Sequence, residues 1–89
     1  MFEKLKEMAQ MRQEAAKIDV MLKEQRIEHT GAHGKIKITM NGKSEIIDLT
    51  IHPDLFGDTE RLPTLIKDTV NDATQTAQKQ MAKLMAKFM

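Results

Sequence analysis

The chain has 89 residues, with 14 basic and 13 acidic side chains and no cysteine, tryptophan or tyrosine. That length holds one domain with a small core. The missing cysteine excludes disulfide staples and thiolate metal sites, and the near balance of charge excludes any inference about partners from net charge alone.

The run Met1-Phe-Glu-Lys-Leu-Lys-Glu7 puts charges where a secretion signal needs apolar residues. No stretch approaches the roughly 20 apolar residues of a membrane span. Both features predict a cytoplasmic chain without a membrane partner. Apolar residues then fall at Met8, Met11, Ala15, Ile18 and Leu22, in steps of three and four, with Met1 and Leu5 extending the stripe. Charged residues fill the other faces, and no Gly or Pro occurs before Gly31. The spacing predicts a helix over residues 2–25.

Residues 26–30 are expected to form a short first strand before the turn at Gly31-Ala-His-Gly34. A hairpin follows. Residues 36–40 alternate Ile, Lys, Ile, Thr, Met, while Ile47, Leu49 and Ile51 recur at every second position. Asn41-Gly42 between the runs is a strong hairpin signal. A four-residue loop, Asn41 to Ser44, sets Ile38 opposite Ile47, Ile36 opposite Leu49 and Lys37 opposite Asp48. It satisfies more cross-strand pairs than a two-residue loop. The face carrying Ile36, Ile38, Met40, Ile47, Leu49 and Ile51 is expected to be the core face.

His52 precedes Pro53 and stays extended. Pro53 to Phe56 reads as one helical turn ended by Gly57, with Asp58 or Thr59 available as a cap. Pro63 suits the first turn of a second helix. From Leu62 the apolar residues fall at 62, 66, 70, 73, 77, 81, 84 and 88, with Leu65 and Met85 beside them. The expected fold is α+β in a single domain over residues 1–89: a long helix, a small antiparallel meander of two to three strands, a short turn and a second long helix.

A helix of about 25 residues is about 37 Å long, whereas a strand of seven spans about 23 Å. The helices must overhang the sheet, so a second copy is expected to cover what the sheet leaves bare, as an intertwined or sheet-packed homodimer with projecting helices. Met8, Met11, Ile18, Leu22, Ile36, Ile38, Ile47, Leu49, Val70 and Ala73 are the residues expected to pack in the core or between subunits. If the two helices of one chain lie along each other, residues 1–12 sit beside 78–89. Lys4, Lys6, Arg12, Lys79, Lys83 and Lys87 then share one cationic tip. The last three step by four along one helix face, and such a stripe can track phosphates. The same three lysines would also complement a helix C-terminus and keep an exposed helix soluble.

Other chemistry is poorly supported. His29, His33 and His52 lack metal-ligand spacing and carboxylate companions. Ser44, the single serine, lies in the hairpin loop. Gly31 and Gly34 flank a turn and form no phosphate loop. No acid–base or nucleophile constellation can be assembled, so neither an enzyme, a cofactor, a metal nor a small-molecule substrate is expected. Base stacking needs aromatic platforms; Phe2, Phe56 and Phe88 read as packing residues. Duplex DNA held through its phosphates fits better than single strands.

The run Lys37-Ile-Thr-Met-Asn-Gly42, then Ile51-His-Pro-Asp-Leu55, Leu62-Pro-Thr-Leu-Ile66, Val70-Asn-Asp-Ala73 and Met81 resembles the YbaB/EbfC family of small bacterial nucleoid-associated proteins. The resemblance covers residues 5 to 85. Pro63 and Thr64 stand where that family is usually acidic, and its Gly-rich tails are missing. The resemblance implies a homodimer with paired projecting helices, duplex DNA binding in the nucleoid with a role in chromosome organisation or gene expression, and no catalytic residues. A different function also fits the residues: an adaptor that holds a protein partner on Met-rich helix faces, since methionine side chains repack easily.

Overall fold

The computed structural model describes residues 2–87. Helix α1 spans Phe2–Glu24. Strands β1 (Ile27–Gly31), β2 (Ile36–Met40) and β3 (Ile46–Ile51) follow, then a 3₁₀ turn over Pro53–Gly57 and helix α2 over Leu62–Ala86. The expected α+β order holds, and the first strand expected over residues 26–30 forms one residue later, at Ile27–Gly31. Pro63 falls in the first turn of α2, where its missing N–H costs nothing. Asp58 supports that start: its Oδ1 accepts from the Arg61 amide at 3.3 Å. Met1 and Phe88, assigned above to apolar stripes, lie outside the described residues.

The sheet is antiparallel in the order β1-β2-β3. Its register differs from the expected one. Ile36 faces Ile51, Ile38 faces Leu49, Lys37 faces Thr50 and Thr39 faces Asp48, with an irregularity at Thr39/Met40. The strands are offset by two residues from the four-residue loop. One residue of the offset comes from the irregularity at Thr39/Met40, and the other from Asn41, which is buried. It does not sit at the centre of a tight turn. Its side-chain Oδ1 accepts from the amides of Lys43 and Glu45 at 2.9 and 3.1 Å, and its Nδ2 donates to Glu45 Oε1 at 2.9 Å. These bonds draw Glu45 into the loop and lengthen it. Lys37 consequently pairs with Glu28, at 3.4 Å, and not with Asp48.

Helix α2 crosses the face presented by β1 and β2. Ile27, Ile36, Ile38, Met40, Leu55, Ala73 and Ala77 form the core. The two alanines step by four with Thr69 on the buried face of α2, and their small side chains let the helix approach the sheet closely. Sequence reading did not place Thr69 there. β3 continues the same face beyond the helix's cover. Ile47 and Leu49, expected in the core, are therefore exposed in the single chain, at 47% and 41%, and Ile46 is exposed with them. Val70 and Leu22 are half-buried. Met8, Met11 and Ile18 are exposed, and α1 has no buried residue at all.

The molecule measures 65 × 21 × 17 Å, with a radius of gyration of 18.2 Å. A compact chain of this length would have a radius near 12 Å. The 65 Å length approaches that of the sheet-bound part of α2 and the whole of α1 laid end to end. Helix α1 thus runs onward from the body as an arm. Only the last turns of α2 accompany it: Met85 faces Glu14, Lys17, Ile18 and Met21 across a shallow apolar recess. The end of α2 therefore lies beside the C-terminal half of α1, and, among the described residues, the first turns of α1 do not sit beside the end of α2 as expected for 1–12 and 78–89.

Candidate nucleic-acid interface

Charge is sorted along this elongated body. Residues 2–26 together with 79–87 carry nine basic and five acidic side chains, a net of +4; residues 27–78 carry five and eight, a net of −3. The first group is the arm and the adjoining end of α2. The second is the sheet and the helix that covers it.

Pairing sharpens the contrast. Every basic residue of the second group has a carboxylate partner: Lys35 with Asp54, Lys37 with Glu28, Lys43 with Asp19, Arg61 with Asp58 and Lys67 with Asp68. In the first group only Lys23 is paired, with Asp19. Lys4, Lys6, Arg12, Lys17, Arg26, Lys79, Lys83 and Lys87 meet no carboxylate within ion-pair distance among the described residues. All eight are exposed. Unneutralised guanidinium and ammonium groups on a narrow rod are suited to phosphate oxygens, because binding them displaces condensed counterions and breaks no internal pair.

The structure divides the six cations picked out in the sequence into two sets. Lys79, Lys83 and Lys87 lie on the end of α2, and Lys83 and Lys87 border a recess with Gln25. Lys4 and Lys6 lie far along the bare arm, roughly 15 Å beyond the level of Glu14 at 1.5 Å per residue; Arg12 lies between. Lys17 lies between the two sets, Arg26 lies at the inner end of α1 beside Gln25, and both were missed. Lys17 looks like a solvated helix charge in the sequence. Arg26 sits at the helix-to-strand change, where its guanidinium caps the carbonyls of Lys23 and Gln25 at 2.7 and 2.9 Å.

Two of the three histidines have structural partners. His52 Nδ1 accepts from the Asp54 amide at 3.1 Å and caps the 3₁₀ turn, and His29 lies 3.4 Å from the Thr76 hydroxyl. Among the described residues no group of three His, Asp or Glu side chains is gathered as a metal site, and no helix is long and apolar enough to cross a membrane.

The chain matches the YbaB/EbfC DNA-binding family over residues 1–89. It belongs to that family. A nucleoid-associated protein of Thermoanaerobacter pseudethanolicus is 33% identical over 86 residues, covering 94% of this chain and 78% of the relative. One from Caldanaerobacter subterraneus is 32% identical with the same coverage. An uncharacterised Helicobacter pylori protein of known crystal structure shares the fold, with a TM-score of 0.79 at 20% identity over 99% of this chain and 96% of its own. The YbaB/EbfC assignment rests on the family match and the curated relatives; the crystal structure adds that the arm-and-body architecture is not peculiar to this sequence.

Proposed function

We propose that this YbaB/EbfC protein binds duplex DNA as a nucleoid-associated homodimer, holding phosphates with the unpaired cations of the arm and of the end of α2. The observation that carries this reading is the segregation of charge: a chain of net +1 places +4 on one half and leaves eight of that half's nine cations without a carboxylate partner among the described residues. The family membership and the names of the relatives agree with it. Lys4, Lys6 and Arg12 contact one stretch of backbone and Lys79, Lys83 and Lys87 another, with Lys17 between them and Arg26 at the inner end. Contacts of this kind position a protein on DNA and read little sequence. The reaction repertoire is binding alone.

A second copy accounts for the apolar surface a single chain leaves open. Ile46, Ile47 and Leu49 lie on an edge strand, and an uncovered apolar edge invites pairing. Met8, Met11 and Ile18 add an exposed seam on the arm.

The test is a salt-titrated binding measurement on duplex DNA beside a mass measurement. With six contacts per chain, the roughly twelve of a dimer give a log–log slope of about −11. Replacing Lys79, Lys83 and Lys87 with Gln should abolish most binding at moderate salt and leave the dimer intact. Binding that is absent at low salt, with a protein partner co-purifying, would favour the adaptor alternative.

A further inference from the structure

The arm has no side chain buried in the body, yet its direction is fixed. Besides the shallow Met85 recess, α1 meets the body at one small point. α1 ends at Glu24, and only Gln25 and Arg26 separate it from β1. The Leu22 carbonyl is one of the last of α1, and such carbonyls lack partners inside their helix. It accepts the Gly42 amide at 2.7 Å and the Gln25 amide at 3.2 Å. Gly42 reaches it only because it has no side chain. A Cβ there would stand 2.7 Å from Met81 Sδ, 2.8 Å from the Leu22 oxygen and 3.1 Å from the Leu22 Cα. Next to it, Lys43 Nζ pairs with Asp19, one turn further out on α1. Buried Asn41 holds the loop in shape from behind. Helix α1, the β2–β3 loop and the far end of α2 thus meet around one glycine.

We propose that the Asn41-Gly42-Lys43 loop is a positioning joint for DNA binding: it sets the angle of the α1 arm to the body, and thereby the placement of the arm cations relative to those of α2. The inference rests on the DNA-binding reading above. A joint of this kind works by preorganisation, since an arm that swings freely must be ordered when it binds. It is also a lever. Roughly 30 Å of helix separates Leu22 from Phe2, and the backbone contact and the Asp19 contact are about one turn apart, or about 5 Å. A displacement of about 1 Å at Gly42 therefore moves the arm tip by roughly 6 Å, more than the roughly 3.4 Å axial rise per phosphate along one strand.

The experiment uses two engineered labels. The chain has no cysteine, so Ala9→Cys and Thr30→Cys give one spin-label pair between arm and body. The labelled chain is diluted with unlabelled chain so that each assembly carries a single pair. The parent should give one narrow distance. Gly42→Ala should shift or broaden it, and should weaken binding to a duplex of about 20 base pairs by tenfold or more at unchanged oligomeric mass. Asp19→Asn, a near-isosteric change at a half-exposed side chain with folding checked by its melting curve, separates the joint from plain electrostatics. It makes the chain more positive, so phosphate attraction alone predicts tighter binding, whereas a loosened arm predicts a broader distance and binding weaker by twofold or more. An unchanged distance in Gly42→Ala overturns the joint. So does a changed distance with unchanged affinity, or tighter binding by Asp19→Asn. If the parent itself binds no duplex at low salt, the DNA reading fails with its own result, the role in DNA binding falls with it, and the distances alone decide whether the loop sets the arm.

Discussion

Thr69 lies against Gly31 so closely that a methyl group on the glycine would stand 2.5 Å from the Thr69 hydroxyl oxygen and 2.8 Å from its Cγ2. Thr69 is itself held by its hydroxyl donating to the Leu65 carbonyl at 2.7 Å. Helix α2 thus meets β1 at a point with no spare room. Gly31→Ala should destabilise the fold by about 1–3 kcal/mol through overpacking, lowering the melting temperature by about 4–8 °C per kcal/mol. Adding Thr69→Ala should recover part of the loss. Equal melting of parent and Gly31→Ala would show that the contact relaxes without cost.

Asn41→Ala removes three hydrogen bonds from a buried side chain. The amides of Lys43 and Glu45 lose their acceptor, and the loop no longer holds its length. A loss of about 1–3 kcal/mol is expected, read by chemical denaturation. Because the loop also meets α1, the variant should show faster amide exchange at Gly42 as well as at its own site.

These two positions mark what the sequence made legible and what it hid. Both helices could be read because their periodicity is written in Met8, Met11, Ile18 and Leu22 and in Val70, Ala73 and Ala77. The strands could be read from alternation. The register could not, because Asn41-Gly42 signals a tight turn whereas the buried Asn41 side chain builds a longer loop. Nor could the uncovered state of β3: Ile36 and Leu49 follow the same alternation, and only the path of α2 distinguishes them. The placement of the arm was hidden for a third reason. It depends on a backbone contact at Gly42, which leaves no mark in an apolar pattern. The six candidate cations were visible as residues, but their division into two sets follows from that placement.

Leu49→Glu puts a charge on the open part of the sheet face, beside core residue Ile38 but at a position 41% exposed. It should convert a dimer into a single-chain species at micromolar concentration by sedimentation, with the far-ultraviolet helical signal largely kept. A mass that stays at two chains would move the interface away from β3, toward the exposed seam of Met8, Met11 and Ile18.

The two cationic sets lie on different helices. Replacing Lys4, Lys6 and Arg12 with Gln, and separately Lys79, Lys83 and Lys87, should each flatten the salt slope of the dimer by about 5. The combined variant should lose more affinity than either alone. Anisotropy titrations between low and moderate salt measure both quantities. Loss confined to one set would place the DNA on that helix alone.

The Asp19–Lys43 pair gives the arm a defined pH window. The Lys43 ammonium, hydrogen-bonded to the Asp19 carboxylate, holds the aspartate below its ordinary value, with Lys23 adding to the effect. The same bond holds Lys43 above its ordinary value, with Glu45 contributing. A lowered carboxylate favours the paired state above the usual aspartate range and loses that contribution as pH falls through its folded value. A raised ammonium contributes below the usual lysine range and loses it as pH rises through its folded value. The arm-to-body distance should therefore be constant across neutral pH and broaden at both extremes. A distribution that broadens between pH 6 and 8 would show that other groups hold the arm.

The sorting of charge has one more result. A chain that grips a duplex by its positive half must present its negative half to the same polyanion, and the two repel. Bound copies would stand upright, heads held off the double helix, like bristles on a wire. Acidic bodies of neighbouring copies would also keep a distance from one another, so coating of a chromosome by this protein should be sparse and reversible instead of a continuous sheath.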